Sequence, residues 1–210
     1  MKIKIVKDFT NYFRAKSPKT QVYLHHTAGG ADGEAQFSFW QADPRPVATC
    51  VCISRDGTIN QGFSSEYWAY HLGLPAKAFT SQKLTYRDLE KTSIGIEICS
   101  WGWLNKKGDK YYTYVNKEVP ADRVITLDKP YRGQLHWEAY TDEQIASVKT
   151  LLLHWQKRYG IPMSYSEADM WEVSKKALTN VPGVYTHNSV RADKTDCAPQ
   201  EKLIQMLKSL

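Results

Sequence analysis

The chain has 210 residues, enough to bury a core without disulfide staples, and its 42% apolar and 24% charged content is typical of a globular protein. Its net charge of +6 suits a polyanionic partner such as cell wall, nucleic acid or a membrane surface. No arginine-rich run or nucleic-acid motif accompanies that charge, so we expect no nucleic-acid partner.

The first residues, MKIKIVKDFTNYF, lack the continuous apolar segment of a signal peptide. No stretch approaches the roughly 20 apolar residues that span a membrane. The sequence therefore predicts a protein made in the cytoplasm and not inserted in a membrane, whose four cysteines are reduced. Repeats and flexible linkers are absent. We expect one catalytic domain over 1–210, with its core in 20–209, and a monomer.

The first predicted strand is Gln21–His26, an apolar run bounded by proline and glycine residues. A helix is predicted at 33–40. Residues 47–63 predict a hairpin, because an Asp-Gly pair separates two β-prone runs. Residues 93–99 predict a strand that is apolar almost throughout, which is typical of a central strand.

The clearest predicted helix is Asp142–Tyr159, with a capping box formed by Thr141 and Gln144 at its start and Gly160 at its end. A last helix is predicted at 200–210. Strands interleaved with helices indicate an α/β fold in which helices pack on a sheet. The inward-facing residues expected in these two helices are Ile145, Val148, Leu151, Leu152, Trp155, Leu203, Ile204 and Leu207.

Polar residues with catalytic potential lie in four segments. They read LHHTAGG (24–30), AYHLG (69–73), SIGIEICSWGW (93–103) and THNSVRADKTDCAP (186–199). Three of these segments hold four of the six histidines of the chain. Neutral imidazole is the commonest metal ligand in proteins, so together they indicate a metal site.

Two choices of ligand stay open on this reasoning. Adjacent side chains on a strand point to opposite faces, so only one of His25 and His26 can easily reach a given metal. Asp196 and Cys197 are both eligible zinc ligands, and in an extended segment only Asp196 shares a face with Lys194. Two histidines and one carboxylate leave a fourth position open for water, as catalytic zinc requires.

Glu97 lies in an apolar strand, where a carboxylate is costly to bury unless it is paired or exposed. Alternation puts it on the face opposite Ile96 and Ile98. One interpretation is a surface glutamate on a half-exposed strand. The other is a general base that acts on water beside a metal.

These segments resemble the type 2 N-acetylmuramoyl-L-alanine amidase family, which includes phage endolysins and is related to the peptidoglycan recognition proteins. LHHTAGG resembles the family strand with the first zinc histidine, and SRDGTINQGF resembles its hairpin. AYHLG and SIGIEI resemble its Ala-Trp-His-Ala-Gly and Ser-Ile-Gly-Ile-Glu segments. THNSVRADKTD resembles its second zinc histidine followed by Lys-x-Asp. The segments occur in family order over 24–199.

The resemblance implies a central mixed β-sheet with helices packed on it and a zinc cofactor. It favours His25, because the family ligand precedes a variable and then a small residue, and Asp196, because of its spacing from the lysine. Some relatives carry a tyrosine where this chain has Thr49, which leaves the catalytic work to Glu97. The implied roles are zinc binding by His25, His187 and Asp196, catalysis by Glu97 and Lys194, and substrate contact by His71.

Trp101 and Trp103 follow the Glu97 strand, where they would line a glycan cleft or simply pack in the core. The implied function is zinc-dependent hydrolysis of the bond between the lactyl group of muramic acid and L-Ala in bacterial peptidoglycan. We expect a phage or prophage lysin that reaches the wall after release. The alternatives are a cytoplasmic amidase that recycles wall fragments, a different zinc amide hydrolase, and a binding module without catalysis.

Overall fold

The computed structural model describes residues 2–210, in which the strands form two β-sheets. In chain order the strands are β1 (Ile3–Ile5), β2 (Gln21–His26), β3 (Val51–Ile53), β4 (Ile59–Gln61), β5 (Ser93–Ile98), β6 (Trp103–Lys107), β7 (Lys110–Tyr112), β8 (Glu118–Val119), β9 (Val124–Tyr131), β10 (Gln134–Glu138) and β11 (Gly183–Thr186). The larger sheet has the order β1-β4-β3-β5-β2-β11, and the smaller has the order β8-β7-β6-β10-β9.

The helices complete an α/β architecture, as the sequence predicts. They are α1 (Gly33–Ala42), α2 (Ala76–Thr80), α3 (Asp142–Tyr159), α4 (Glu167–Met170), α5 (Lys175–Leu178) and α6 (Glu201–Lys208), with 3-10 turns at Ala121–Arg123 and His187–Ser189. In the larger sheet only the pair β3 and β4 is antiparallel. The expected central mixed sheet with helices packed on it is therefore confirmed.

Strands β2 and β5 lie side by side in the interior of the larger sheet. Every residue of β2 is buried, and Glu97 is the one residue of β5 that is half-buried. The parallel register pairs His25 with Glu97 and Leu24 with Ile96. Because side chains alternate between the two faces, His25 and Glu97 point to one face while Leu24 and Ile96 enter the apolar core.

Local sequence signals predict seven of these strands and helices to within a few residues, namely β2, β3, β4, β5, α1, α3 and α6. Strand β2 has its predicted bounds, and β5 ends one residue before the predicted 93–99. The hairpin forms around Gly57, whose φ of 78° lies in the left-handed region, but its strands are shorter than the predicted 47–63. Helix α1 continues two residues past the predicted 33–40, and α6 is shorter than 200–210.

Helix α3 has its predicted bounds because its ends are chemically defined. The Thr141 hydroxyl accepts the Gln144 N–H at 3.1 Å, and the Gln144 side chain accepts the Thr141 N–H at 3.1 Å. Gly160 ends the helix with a φ of 69°. Of the predicted inward-facing residues, Ile145 and Ile204 are half-buried, and the buried ones are Val148, Leu151, Leu152, Trp155, Leu203 and Leu207.

The smaller, antiparallel sheet is not predicted from the sequence. Most of its side chains are exposed or half-buried, so its strands lack the apolar alternation that marks a half-buried strand. Arg132 and Gly133 both have positive φ, at 52° and 79°, and form the two-residue turn between β9 and β10. Tyr131 and Trp137 anchor this sheet to the core shared with the larger one.

All four cysteines are buried and free in the structure. The Sγ atoms of Cys52 and Cys99 lie 3.7 Å apart, in contact but unbonded. Among the helices of residues 2–210, none combines the length and apolar character that a membrane crossing requires.

Glu138 joins the two sheets through ionic contacts. Its side chain is fully buried, and its Oε1 lies 3.3 Å from a guanidinium nitrogen of Arg55 and forms a second ion pair with Arg123. Its Oε2 accepts the backbone N–H of Trp101 at 2.7 Å. Removing this carboxylate would leave two partly buried guanidinium groups without their anion.

We predict that Glu138→Ala lowers the free energy of unfolding by about 3 kcal/mol, the lower end for breaking a buried ion pair. Guanidinium denaturation followed by circular dichroism measures this change. The control is Glu118→Ala, which removes an exposed ion pair with Lys110 and should cost less than about 1 kcal/mol. A loss for Glu138→Ala no greater than that of the control would contradict the prediction.

Candidate metal centre and active site

Three side chains converge at one end of the larger sheet. His25 lies near the end of β2, His187 follows directly after β11, and Asp196 lies in the loop before α6. The Nδ1 atoms of His25 and His187 are 3.1 Å apart, and Asp196 Oδ2 lies 3.1 Å and 3.0 Å from them. Strands β2 and β11 are parallel neighbours, so their carboxyl ends bring the two histidines together.

This triangle of donor atoms fits a zinc ion. Donors around a tetrahedral zinc with bonds of about 2.0–2.1 Å lie about 3.3 Å apart, close to the separations found here. Two imidazole nitrogens and one carboxylate oxygen form a donor set that catalytic zinc sites use. The three residues are those that the family resemblance implies as ligands.

His26 is directed away from this triangle. Its Nδ1 lies 3.2 Å from the hydroxyl of Tyr140, and its ring packs against Gly102. The strand alternation that separates His25 from His26 therefore leaves His25 as the histidine of the pair that faces Asp196.

Cys197 is also outside the triangle. It is fully buried among the apolar residues of the main core, while the side chain of Asp196 turns toward the two histidines. Burial raises the pKa of the Cys197 thiol well above its ordinary value, which keeps it protonated. In this structure Asp196, and not Cys197, lies beside the two histidines.

Each histidine of the triangle has a second hydrogen bond on its outer nitrogen. His187 Nε2 donates to the carbonyl of Leu72 at 2.9 Å, which in a neutral ring leaves the lone pair on Nδ1. His25 Nε2 lies 3.0 Å from Nδ1 of His71, whose own Nε2 lies 2.8 Å from Ser93 Oγ. Donation from His25 to His71 and on to Ser93 leaves the His25 Nδ1 lone pair for a metal.

His71 was expected to touch substrate. It lines the cleft beside the triangle, but both of its ring nitrogens are engaged within the protein, by His25 and Ser93. Its contact with substrate stays a prediction, and the geometry adds a contact with a candidate metal ligand.

The ionisation of the triangle suits metal binding. Burial lowers the pKa of His25 to about 4, so that ring is neutral at pH 7. Burial acts to raise the pKa of Asp196, but its close contacts with the rings of His187 and His25 outweigh that effect and hold the pKa well below its usual range. A neutral imidazole and an ionised carboxylate are the forms that coordinate metal.

Glu97 and Lys194 line the same cleft, which has a volume of about 340 Å³. Burial and the negative charge of Asp196 raise the pKa of Glu97 well above its ordinary value, while Lys194 opposes that rise. In the chain from residue 2 to residue 210, the Lys194 ammonium has no carboxylate within 4.0 Å. A basic carboxylate and an unpaired cation therefore face the space next to the triangle.

Thr49 takes no part in this cleft. It is buried, and its hydroxyl donates to the carbonyl of Val51 at 2.8 Å. Its methyl group packs against Gly95, where a Cβ would lie only 2.5 Å from it. The hydroxyl is therefore engaged by the backbone just before and at the start of β3, and it does not face the cleft.

Trp101 and Trp103 lie beside the cleft rather than in its wall, as far as residues 2–210 define that wall. Both rings contact Tyr114, with centroid distances of 6.2 Å and 6.5 Å. The Tyr114 hydroxyl donates at 3.1 Å to the carbonyl of Ala28, which does line the cleft. The rings of Trp101, Trp103 and Tyr114 form an aromatic lip beside the cleft. Both tryptophans are half-buried and Trp103 also packs against the main core, whereas Tyr114 is 54% exposed.

Sequence reasoning did not identify Tyr114, the Leu72 carbonyl or Glu90 as parts of this region. A backbone carbonyl carries no residue-specific signal, and Tyr114 lies in the connection between β7 and β8, outside the four polar segments. Glu90 lies three residues before the Ser-Ile-Gly-Ile-Glu strand, and its acidic type alone does not distinguish it from a surface glutamate.

A sequence profile of the N-acetylmuramoyl-L-alanine amidase family matches residues 15–200. The matched region contains every residue of the candidate site. No curated protein sequence matches the chain significantly.

Several solved structures share the fold. PlyL matches with a TM-score of 0.52 at 15% identity, covering 99% of this chain and 96% of PlyL. A selenomethionine derivative of AmpD matches with a TM-score of 0.52 at 17% identity, covering 98% and 93%. The N-acetylmuramoyl-L-alanine amidase LysC from Clostridium intestinale URNW matches with a TM-score of 0.51 at 14% identity, covering 100% and 96%. At these identities the likeness concerns the fold.

Proposed function

Because the chain belongs to the N-acetylmuramoyl-L-alanine amidase family, we propose that it is a zinc-dependent enzyme that hydrolyses the lactyl–L-Ala amide bond of bacterial peptidoglycan. The observation that carries this proposal is the convergence of three metal-ligating atoms beside Glu97 and Lys194 in one cleft. Residues 1–210 would act as one catalytic domain and as a monomer.

In this proposal His25, His187 and Asp196 hold the zinc ion. Bound there, zinc would polarise the substrate carbonyl and lower the pKa of water. The outer hydrogen bonds to His71 and Leu72 fix the ring orientation and the tautomer of the two histidines.

Glu97 acts as the general base and then as the general acid. Its carboxylate takes a proton from the attacking water and delivers it to the leaving amine of L-Ala. Burial makes Glu97 a stronger base than an exposed glutamate, which favours the first transfer. The Lys194 ammonium offsets the negative charge that develops on the carbonyl oxygen, and it is available for this task because no carboxylate of residues 2–210 pairs with it.

Substrate would lie across the cleft, with its glycan against the aromatic lip of Trp101, Trp103 and Tyr114. Flat aromatic rings present apolar faces on which sugars can stack. The backbone N–H of Trp101 donates to the buried carboxylate of Glu138, and this hydrogen bond holds the backbone that carries the aromatic lip in place. His71 would contact substrate from the wall of the cleft.

We further propose that the enzyme is a phage or prophage lysin acting on intact wall. The net charge of +6 favours a large, polyanionic substrate over small fragments. A recycling amidase would instead prefer isolated muropeptides, so relative rates on intact wall and on muropeptides separate the two roles. A faster rate on muropeptides would favour the recycling role.

Purified protein should contain about one zinc per chain, the number that a single catalytic site requires. We predict that Asp196→Ala loses the metal, because its carboxylate completes the ligand triangle. Cys197→Ser serves as the matched control and should retain it, since that thiol is in the core. Elemental analysis by mass spectrometry measures both, and the reverse pattern would transfer the third ligand to Cys197.

Glu97→Gln keeps the size of the side chain but removes the base. We expect zinc content and circular dichroism to stay unchanged while turnover falls roughly 10²-fold or more. Lys194→Ala should also retain zinc and lose turnover, through weaker stabilisation of the oxyanion. Release of soluble products from purified wall gives the rates, with Glu118→Gln as a surface control. Near-normal turnover of the Glu97 variant would mean that another group is the base.

Digestion of purified wall should release stem peptides with a new amino group on L-Ala and create no new reducing ends. A glycosidase would need a pair of carboxylates across a glycosidic bond and would produce reducing ends. A peptidase would leave L-Ala on muramic acid, so mass spectrometry of the products separates all three activities. Binding to wall without any product would replace the enzyme proposal with a binding module.

A further inference from the structure

Glu90 is a buried glutamate whose carboxylate accepts hydrogen bonds from the backbone of residues 71–73. Its side chain is 5% exposed, and its Oε2 accepts the N–H of His71 at 2.8 Å and that of Leu72 at 3.1 Å. Its Oε1 accepts the N–H of Gly73 at 2.8 Å. Gly73 has a φ of 55°, a conformation that lets successive N–H groups converge on one anion.

The same turn supplies the outer partner of both candidate metal histidines. The His71 ring contacts His25 Nε2 at 3.0 Å, and the Leu72 carbonyl accepts from His187 Nε2 at 2.9 Å. Two ligands from distant parts of the chain are therefore oriented by one segment, 71–73. Glu90 contacts neither ligand itself.

We propose that Glu90 is a positioning residue for the metal site, which it organises by holding segment 71–73. This inference rests on the proposed zinc site, and it adds Glu90 as a residue on which the zinc affinity of that site depends. Partners of this kind set the tautomer and the ring orientation of ligating histidines. Moving the segment would turn both rings at once.

The chemistry of the contact calls for a carboxylate. Three donors converge on Glu90, and an ionised carboxylate accepts at both oxygens, whereas a glutamine amide would direct two hydrogens at those donors. Burial raises the pKa of Glu90, and the N–H groups of His71, Leu72 and Gly73 oppose that rise. Within residues 2–210 no cation lies within ion-pair distance of it, so these amides are its main compensation for burial.

The segment that carries Glu90 also holds the His71 ring. Ser93 begins β5, three residues after Glu90, and its Oγ lies 2.8 Å from His71 Nε2. Backbone and side chain of His71 are thus both fixed by residues 90–93. The orientation of His25 therefore follows from the position of β5, which also carries Glu97.

The test compares Glu90→Gln with Glu138→Gln, which removes a second buried carboxylate that is remote from the histidine bonds. Zinc affinity is measured on metal-free protein by competition with a chromophoric chelator, and the visible spectrum of the cobalt-substituted protein reports ligand geometry. We expect Glu90→Gln to weaken zinc binding about 10- to 100-fold and to change the cobalt spectrum. Glu138→Gln should lower thermal stability but leave both readouts unchanged.

Unchanged zinc affinity and cobalt spectrum in Glu90→Gln would overturn the inference, as would equal losses in the two variants. If Glu90→Gln does not fold, Glu90→Asp replaces it, because it keeps the charge while withdrawing the carboxylate by one methylene. A several-fold loss of zinc affinity supports the inference, and wild-type affinity overturns it. Wild-type protein that binds no zinc would instead refute the proposed function, so the two failures are distinguishable.

Discussion

The parallel register of β11, β2 and β5 is the constraint on which the candidate site depends. The carboxyl ends of these strands meet at one edge of the sheet, so His25 lies beside Glu97 and close to His187. A slip of one residue between β2 and β5 would turn Glu97 into the core and bring Ile96 into the cleft. Burial of the opposite face against α3 and α6 penalises that slip, so core packing also protects the geometry of the candidate site.

Gathering polar groups at a buried edge is costly unless each has a partner. The outer nitrogens of His25 and His187 are satisfied by segment 71–73, and the amides of that segment are satisfied by Glu90. The hydrogen-bonded network thus extends from the triangle through segment 71–73 to the carboxylate of Glu90. Such a network stabilises one arrangement of the two rings and disfavours others.

The smaller sheet extends from the end of β5 and is attached to the larger one in two ways. Trp137 and Tyr131 enter the shared core, and Glu138 binds Arg55, Arg123 and the backbone of Trp101. This attachment keeps the exposed ring of Tyr114 next to the loop that follows β2. The smaller sheet thereby adds an aromatic surface beside the cleft, whereas the three residues of the triangle come from other parts of the chain.

The sequence by itself determined the elements whose signals are local: β2, β5 and α3, with the capping box and terminal glycine of that helix. It also identified the polar segments, because their order and spacing carry family information. The convergence of His25, His187 and Asp196, the burial of Cys197 in the core, the smaller sheet and the hydrogen bonds of Glu90 to segment 71–73 were decided by tertiary structure. Each depends on contacts between residues far apart in the chain, and local periodicity holds no information about such pairings.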